Sequence, residues 1–461
     1  MAERLTTFDA SFLAIESPTA HMHVGWVAVL DPPENGERPS FEELRAHVES
    51  RIGRSQRYRQ RLAPVPWGLH DAEWIEDPSF AIENHVFRAE GDLQAVVDEA
   101  LSRPLNHDHP LWEIWIADEL PDGRIGMVGK AHHCMADGVA TVELGILLVD
   151  GTPDTPAPDL DRWRRPDRAP SSRELVRRSF DDRVAVARRL RAVLRAPRPL
   201  LSLPATARRA VRALRASLLP LAPPSWLGRR LSPARHLATF TRPVEELRQV
   251  AAHFGVTIND VVLSACAGGI GRFASSQGHA AQRLKAMVPV NVRQEDEGRD
   301  ELGNRLSFIF MPLPCDEPDA VRRLRTVQAI TTARKASGDP EGADAALTAL
   351  GHAPRPIRLA VARLLTSPRI FNVTISNIPG IEMPLYMLGC RVRAAYPVVP
   401  LFEQHTVAVG VITIDDTTCF GIQADSEAVP QSDELAEYVD EALEELLELS
   451  REARSPVAGT A

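Results

Sequence analysis

KAHHCMADGVA, Lys130 to Ala140, places two of the chain's 14 histidines side by side and follows the second with Asp-Gly four residues on. Such a pair has three readings: metal ligands, a general base with its neighbour, or buried structural side chains. The stretch before it, LWEIWIADELPDGRIGMVGKAHH, reads as two extended segments joined by a turn near Pro121-Asp122-Gly123, with aromatic and β-branched residues before the turn and a short apolar run after it. The pair therefore ends a strand, and neighbours on a strand point to opposite faces. His132 and His133 do not easily converge on one ion. Neither HExxH nor another dense group of His, Cys and carboxylate ligands is present, so no metal is expected. A histidine of near-neutral pKa at a strand end is suited to take a proton from a hydroxyl or thiol and return it to a leaving group. Asp137-Gly138 lets the chain turn tightly into the helix read over DGVATVELGILLVD, and Asp137 near its first turn orients the loop rather than completing a triad. Structural burial of either histidine stays open at this point.

On either side the elements alternate between strand and helix. Ser40 and Glu43 have capping-box spacing, and Phe41, Leu44, Val48 and Ile52 recur at helical intervals, which predicts a helix. Thr257 and Asp260 repeat that spacing before an apolar run, so Asn259 falls in a helix's first turn, where capping and packing suit it as well as chemistry does. LKAMVPVNVR and LSFIFMPLP predict strands bracketing the charged loop RQEDEGRDELGN. FNVTISNIPG alternates and is expected to stop at Asn-Ile-Pro-Gly, and HTVAVGVITIDDTTCFGIQAD predicts a hairpin at Asp415-Asp416. The tail SDELAEYVDEALEELLEL predicts an acidic amphipathic helix with Leu435, Val439, Leu443 and Leu446 near one face.

The 461 residues, 44 % of them hydrophobic, suffice for two domains. The division read here is 1–150, a Pro/Arg-rich connector with basic amphipathic segments over 151–240, and 241–461. A net charge of -9 argues against a nucleic-acid binder. The connector departs from that balance: residues 161–240 hold 20 arginines against five acidic residues, interleaved with apolar ones. Such segments cover a domain surface, hold an anionic ligand or rest on anionic lipid. Five scattered cysteines with no CxxC pair read as reduced core residues, Cys134 among them. The N-terminus lacks the pattern of a secretory signal, and no apolar run approaches 18 residues, so a cytoplasmic chain is expected, with peripheral contact at the inner membrane or a lipid droplet left open.

HHCMADG at 132–138 resembles the HHxxxDG motif of CoA-dependent acyltransferases and peptide-synthetase condensation domains. Taken with FDASFLAIESPTAHMHVG, HPLWE at 109–113, INDVVLSA at 258–265, VPVNVR at 288–293, GN at 303–304 and SNIPG at 376–380, in that order, the chain resembles the bacterial wax ester synthase/diacylglycerol acyltransferase family over nearly its whole length. FDASFLAIESPTAHMHVG resembles that family's N-terminal strand region. The resemblance implies an α+β, two-domain, chloramphenicol-acetyltransferase-like fold: mixed sheets flanked by helices, with a tunnel between the domains. It implies His133 as general base, His132 as its support, and Asp137 and Gly138 as loop-shaping residues. It also implies substrate or channel positions at Pro110, Leu111, Trp112, Asn259 and Asp260. The implied reaction moves a long-chain acyl group from fatty acyl-CoA to diacylglycerol, forming triacylglycerol, with a long-chain alcohol as the alternative acceptor giving a wax ester, and without an acyl-enzyme, a metal or a redox cofactor. No GxSxG elbow is present to suggest a covalent route. An acyltransferase acting on a polar hydroxyl or amine, and an inert lipid-binding protein of the same fold, are the competing expectations.

Overall fold

The turn read near Pro121-Asp122-Gly123 sets the centre of the first sheet. Gly123 takes a φ of 81°, a conformation an L side chain resists, and the chain reverses there between β6 (Trp112–Ala117) and β7 (Ile125–His132). The computed structural model describes residues 3–33, 37–135, 140–155, 166, 168–178, 219–291, 306–336 and 355–452. β2 (His23–Asp31) pairs antiparallel with β7, placing His23 opposite His132. With β5 (Val86–Arg88), β12 (Tyr386–Met387) and β13 (Cys390–Val398) the strand order is β12-β13-β2-β7-β6-β5. α3 (Leu93–Ser102) covers one face, packing Val96, Val97 and Leu101 with Val27, Val128 and Trp115. α2 (Phe41–Ile52) and α4 (Ala140–Leu148) serve the other, burying Leu44, Val48, Ile52, Leu144 and Leu148. Ser40 and Glu43 form the expected capping box. A small sheet of β1 (Glu3–Arg4), β4 (Glu73–Glu76) and β3 (Gln60–Ala63) adds Leu62 and Trp74 to the same core.

The second sheet runs β10 (Leu306–Leu313), β9 (Leu284–Asn291), β11 (Val373–Ile381), β14 (Val407–Ile414), β15 (Thr417–Asp425), β8 (Arg235–Pro243). β11 is parallel to both neighbours, and the remaining pairs are antiparallel. α5 (Val244–Phe254), α6 (Ile258–Ser276), α7 (Ala320–Ala336) and α9 (Ser432–Glu452) cover it, while α8 (Arg355–Leu365) packs against the helix Thr7–Ile15. Thr257 and Asp260 cap α6 reciprocally, and the helix they start is buried almost throughout. Leu435, Val439, Leu443 and Leu446 are buried on one side of α9, as their spacing predicts.

β13 lies well inside 241–461 yet belongs to the first sheet, pairing from Arg391 opposite Asp31 to Val398 opposite Gly25. It then passes directly against β14 and β15. A Cβ on Gly421 would lie 2.3 Å from the Pro397 carbonyl oxygen, so glycine is what lets the two layers approach. The boundaries read at 150 and 241 therefore do not separate the sheets. Nor is 151–240 a connector throughout: Leu227 is fully buried, the Ala222 N–H donates to the Arg369 carbonyl, and β8 begins at Arg235.

Two local readings also change. FDASFLAI is not a strand but part of α1 (Thr7–Ile15), capped by the Thr6 side chain, and extended structure begins only at His23. β11 does not stop at Asn-Ile-Pro-Gly. It continues to Ile381 with a register shift between Ile378 and Ile381, which carries Pro379 past the ladder where its missing N–H costs no bond. Asp137, Gly138, the charged loop 292–305 and most of the arginine-rich interval fall outside the described residues.

Candidate active site

The strand β7 ends on His132, and a single 3-10 turn, His133–Met135, carries the chain on. The two backbones are fixed from different sides. His132 N–H donates to the Leu111 carbonyl and His133 N–H to the Met22 carbonyl, each at 2.9 Å. The side chains then diverge as strand geometry requires. His132 has no exposed surface, and its Nδ1 accepts the Cys134 N–H at 3.1 Å. The neutral ring accordingly carries its proton on Nε2. His133 is partly exposed, and its ring stacks on Phe12 of α1 with centroids 3.7 Å apart and an interplanar angle of 8°.

Burial, with the His107 and His133 charges adding to it, pushes the His132 pKa down to about 3. His132 is thus a neutral structural element at any ordinary pH. His23 opposite is held neutral in the same way, by burial first and the Lys130 charge second. Lys130 itself is fully buried, with Nζ donating to the Ala100 and Arg103 carbonyls and paired to Glu113 at 3.1 Å. It ties the last turn of α3 to the strand bearing the histidines. Burial raises the Cys134 thiol well above its ordinary pKa, so it offers no thiolate.

Two residues that the sequence reading passed over stand beside the pair. Glu16, the C-cap of α1, pairs with His107 at 3.0 Å and lies 3.7 Å from His132 Nε2. Phe12 and Glu16 are one helical turn apart, so α1 offers its ring to His133 and its carboxylate to His132. That spacing was visible in FLAIE, but the partner across 116 positions was not. Glu16, Ser17 and Met22 also line a cavity of about 360 Å³ that reaches Arg363, Thr366 and Gln404. A second, almost wholly apolar crevice lies at the seam of the two sheets, lined by Trp26, Ile146, Ile378, Met387, Ala395 and Ile412 among others.

Pro110 and Leu111 are buried, and the Leu111 carbonyl anchors His132. Trp112 has no exposed surface: its indole N–H donates to the Tyr58 carbonyl at 2.8 Å and its ring stacks on His85. This segment places the site from beneath. Asn259 sits in the first turn of α6, and its side-chain oxygen accepts from Asn377 Nδ2 at 3.4 Å, which brings the INDVVLSA and SNIPG stretches together. Asp260 is buried and occupied, accepting from Thr257 N–H and hydroxyl and from the Thr331 hydroxyl. Among the described residues no group of three or more His, Cys, Asp or Glu side chains is arranged to hold a metal ion.

Two mixed sheets, the first completed by β13 from the C-terminal half of the chain, with a paired-histidine turn at the end of a central strand, define a two-domain condensation-type architecture. The first condensation domain of the calcium-dependent antibiotic synthetase superimposes on it with a TM-score of 0.60, at 15% identity, covering 100% of this chain and 99% of that one. A wax ester synthase/diacylglycerol acyltransferase from Marinobacter aquaeolei VT8 superimposes with a TM-score of 0.69, at 22% identity, over 97% of this chain and 100% of that one. The wax ester synthase/diacylglycerol acyltransferase catalytic domain matches residues 5–262 and the WS/DGAT C-terminal domain residues 302–447. The chain belongs to that family and is an acyltransferase. A probable diacylglycerol O-acyltransferase of Mycobacterium tuberculosis is 29% identical over 97% of this chain and 96% of its own length.

Proposed function

We propose that the enzyme transfers a long-chain acyl group from acyl-CoA to diacylglycerol, forming triacylglycerol, with His133 as general base. The observation that carries the assignment is the asymmetry of the pair: His132 is sealed and committed through Nδ1, whereas His133 is partly exposed on a rigid stacked ring. His133 takes the proton of the acceptor hydroxyl as that oxygen attacks the thioester carbonyl carbon. The C–S bond of the resulting tetrahedral oxyanion breaks, and the proton passes to the departing CoA sulfur. In this assignment His132, Asp137 and Gly138 support His133, and Asn259 and Asp260 keep the substrate or channel role that the family resemblance implies. The apolar crevice suits hydrocarbon chains, since almost nothing polar lines it.

A wax ester product is the second reading, favoured by the likeness to the Marinobacter wax ester synthase/diacylglycerol acyltransferase and by the same aliphatic lining. Palmitoyl-CoA offered with diacylglycerol and with hexadecanol separately, with products identified by mass spectrometry, ranks the two acceptors. His133→Ala is expected to fold and to lose about 10²-fold or more of the rate, the scale of general-base catalysis. Full activity in that variant sinks the assignment.

A further inference from the structure

His132 presents an anomaly: Nε2 is buried and has no hydrogen-bond partner among the described residues. Its tautomer is nonetheless fixed, because the Cys134 N–H occupies Nδ1 and leaves the proton on Nε2. A buried N–H without an acceptor is costly. Glu16 Oε2 lies 3.7 Å away, just beyond hydrogen-bond reach, while Glu16 Oε1 meets His107 at 3.0 Å. The carboxylate sits at the C-cap of the same helix whose Phe12 backs His133. The charged and titratable groups around this cluster are His107 and His133 against His132, His23 on the paired strand, and Arg363 and Glu403 across the cavity from Glu16.

We propose that Glu16 is a positioning residue for the histidine pair: its carboxylate closes on His132 Nε2–H when substrates are bound and thereby locks the turn that presents His133. Catalytic hydrogen bonds are often long in the unliganded enzyme and shorten in the complex, and a shift of well under 1 Å brings this contact into range. The chain of contacts then runs from the Glu16 oxygen to His132 Nε2–H, and from His132 Nδ1 to the Cys134 N–H, one residue beyond His133. The inference rests on the general-base assignment above but is read out separately from it.

The test uses the full chain with Glu16→Met, which keeps the size and removes the acceptor, and with Glu16→Gln, which restores an accepting oxygen without charge. Nitrogen-15 spectra of labelled histidine, recorded with and without bound palmitoyl-CoA, report the His132 Nε2–H, and amide exchange under the same two conditions reports the Cys134 N–H. Steady-state rates with palmitoyl-CoA report function. With palmitoyl-CoA bound, the wild-type His132 Nε2–H resonance is expected to move downfield and Cys134 exchange to slow, and Glu16→Met is expected to show neither change. The same variant is expected to lose kcat on the order of tenfold, as for loss of an orienting partner, with KM within about twofold. Glu16→Gln is expected to recover most of all three. A substrate-bound Glu16→Met with the wild-type Nε2–H resonance and Cys134 exchange overturns the proposal, as does a Gln variant no better than Met. If the wild type forms no ester with any acceptor, the functional reading falls, and the spectra alone decide this one.

Discussion

His85, His132 and His405 are each kept neutral by burial, which pushes their pKa values to about 4, about 3 and about 4 from 6.5. The unfolded chain binds these protons near pH 6.5 and the folded chain does not until much lower. Between those values the unfolded state holds more protons, so stability rises with pH and is lost as pH falls from about 6.5 toward 4. Each group contributes a slope of up to about 1.4 kcal/mol per pH unit. Urea midpoints should therefore fall steeply from pH 7 to pH 5, and His405→Asn, which cannot titrate, should flatten that dependence. A midpoint that stays level over this range would contradict the neutral assignment. The same chemistry keeps catalysis and scaffold apart: His132 cannot compete with His133 for a proton.

At the scale of elements, α6 depends on its first turn. Asp260 caps Thr257, and its other oxygen receives the Thr331 hydroxyl of α7 at 2.6 Å. Asp260→Ala removes the carboxylate half of the capping box and leaves the Thr331 hydroxyl with only its bond to the Gln328 carbonyl, an expected loss of about 1–2 kcal/mol in urea denaturation. A change below half of that would show the cap to be replaceable. The α6 cap, the Ser40 box, the hairpin at Gly123 and the buried side of α9 were legible in the sequence because each is settled by residues within a turn or two. Pro379 misled the reading of β11 because a proline breaks only the ladder it sits in, and the bulge there removes it from that ladder. β13 was unreadable as part of the first sheet, since its own alternation carries no address for a partner strand. The site divides the same way. The histidines and Asn259 carry local signatures, whereas Glu16 and His107 gain meaning only once α1 lies against the turn.

For the molecule as a whole, acyl transfer to an apolar alcohol requires access to substrates that prefer lipid. Among the described residues no single helix is long and apolar enough to cross a membrane. Ile146, on the lining of the apolar crevice, is nonetheless 41% exposed, and Met383 and Leu388 are exposed on the adjoining β11–β12 and β12–β13 connections. We propose peripheral contact with a lipid surface, to which the arginines between 173 and 215 add electrostatic attraction of about 1 kcal/mol per residue near anionic lipid. Replacing six of them with glutamine should weaken sedimentation with phosphatidylserine-containing liposomes and leave binding to neutral ones little changed. Equal binding to the anionic liposomes would remove that role.

The pairing of Asp31 with Arg391 also sets a timetable for synthesis. β2 leaves the ribosome early, but the strand that covers its open edge follows only after most of the chain. At roughly 5–20 residues per second the wait is on the order of tens of seconds. Throughout it the nascent first sheet presents unpaired N–H and carbonyl groups along β2, the kind of edge that invites pairing with another chain. The polypeptide must therefore remain shielded until its last third emerges, and its first half cut free at residue 240 would keep that open edge permanently.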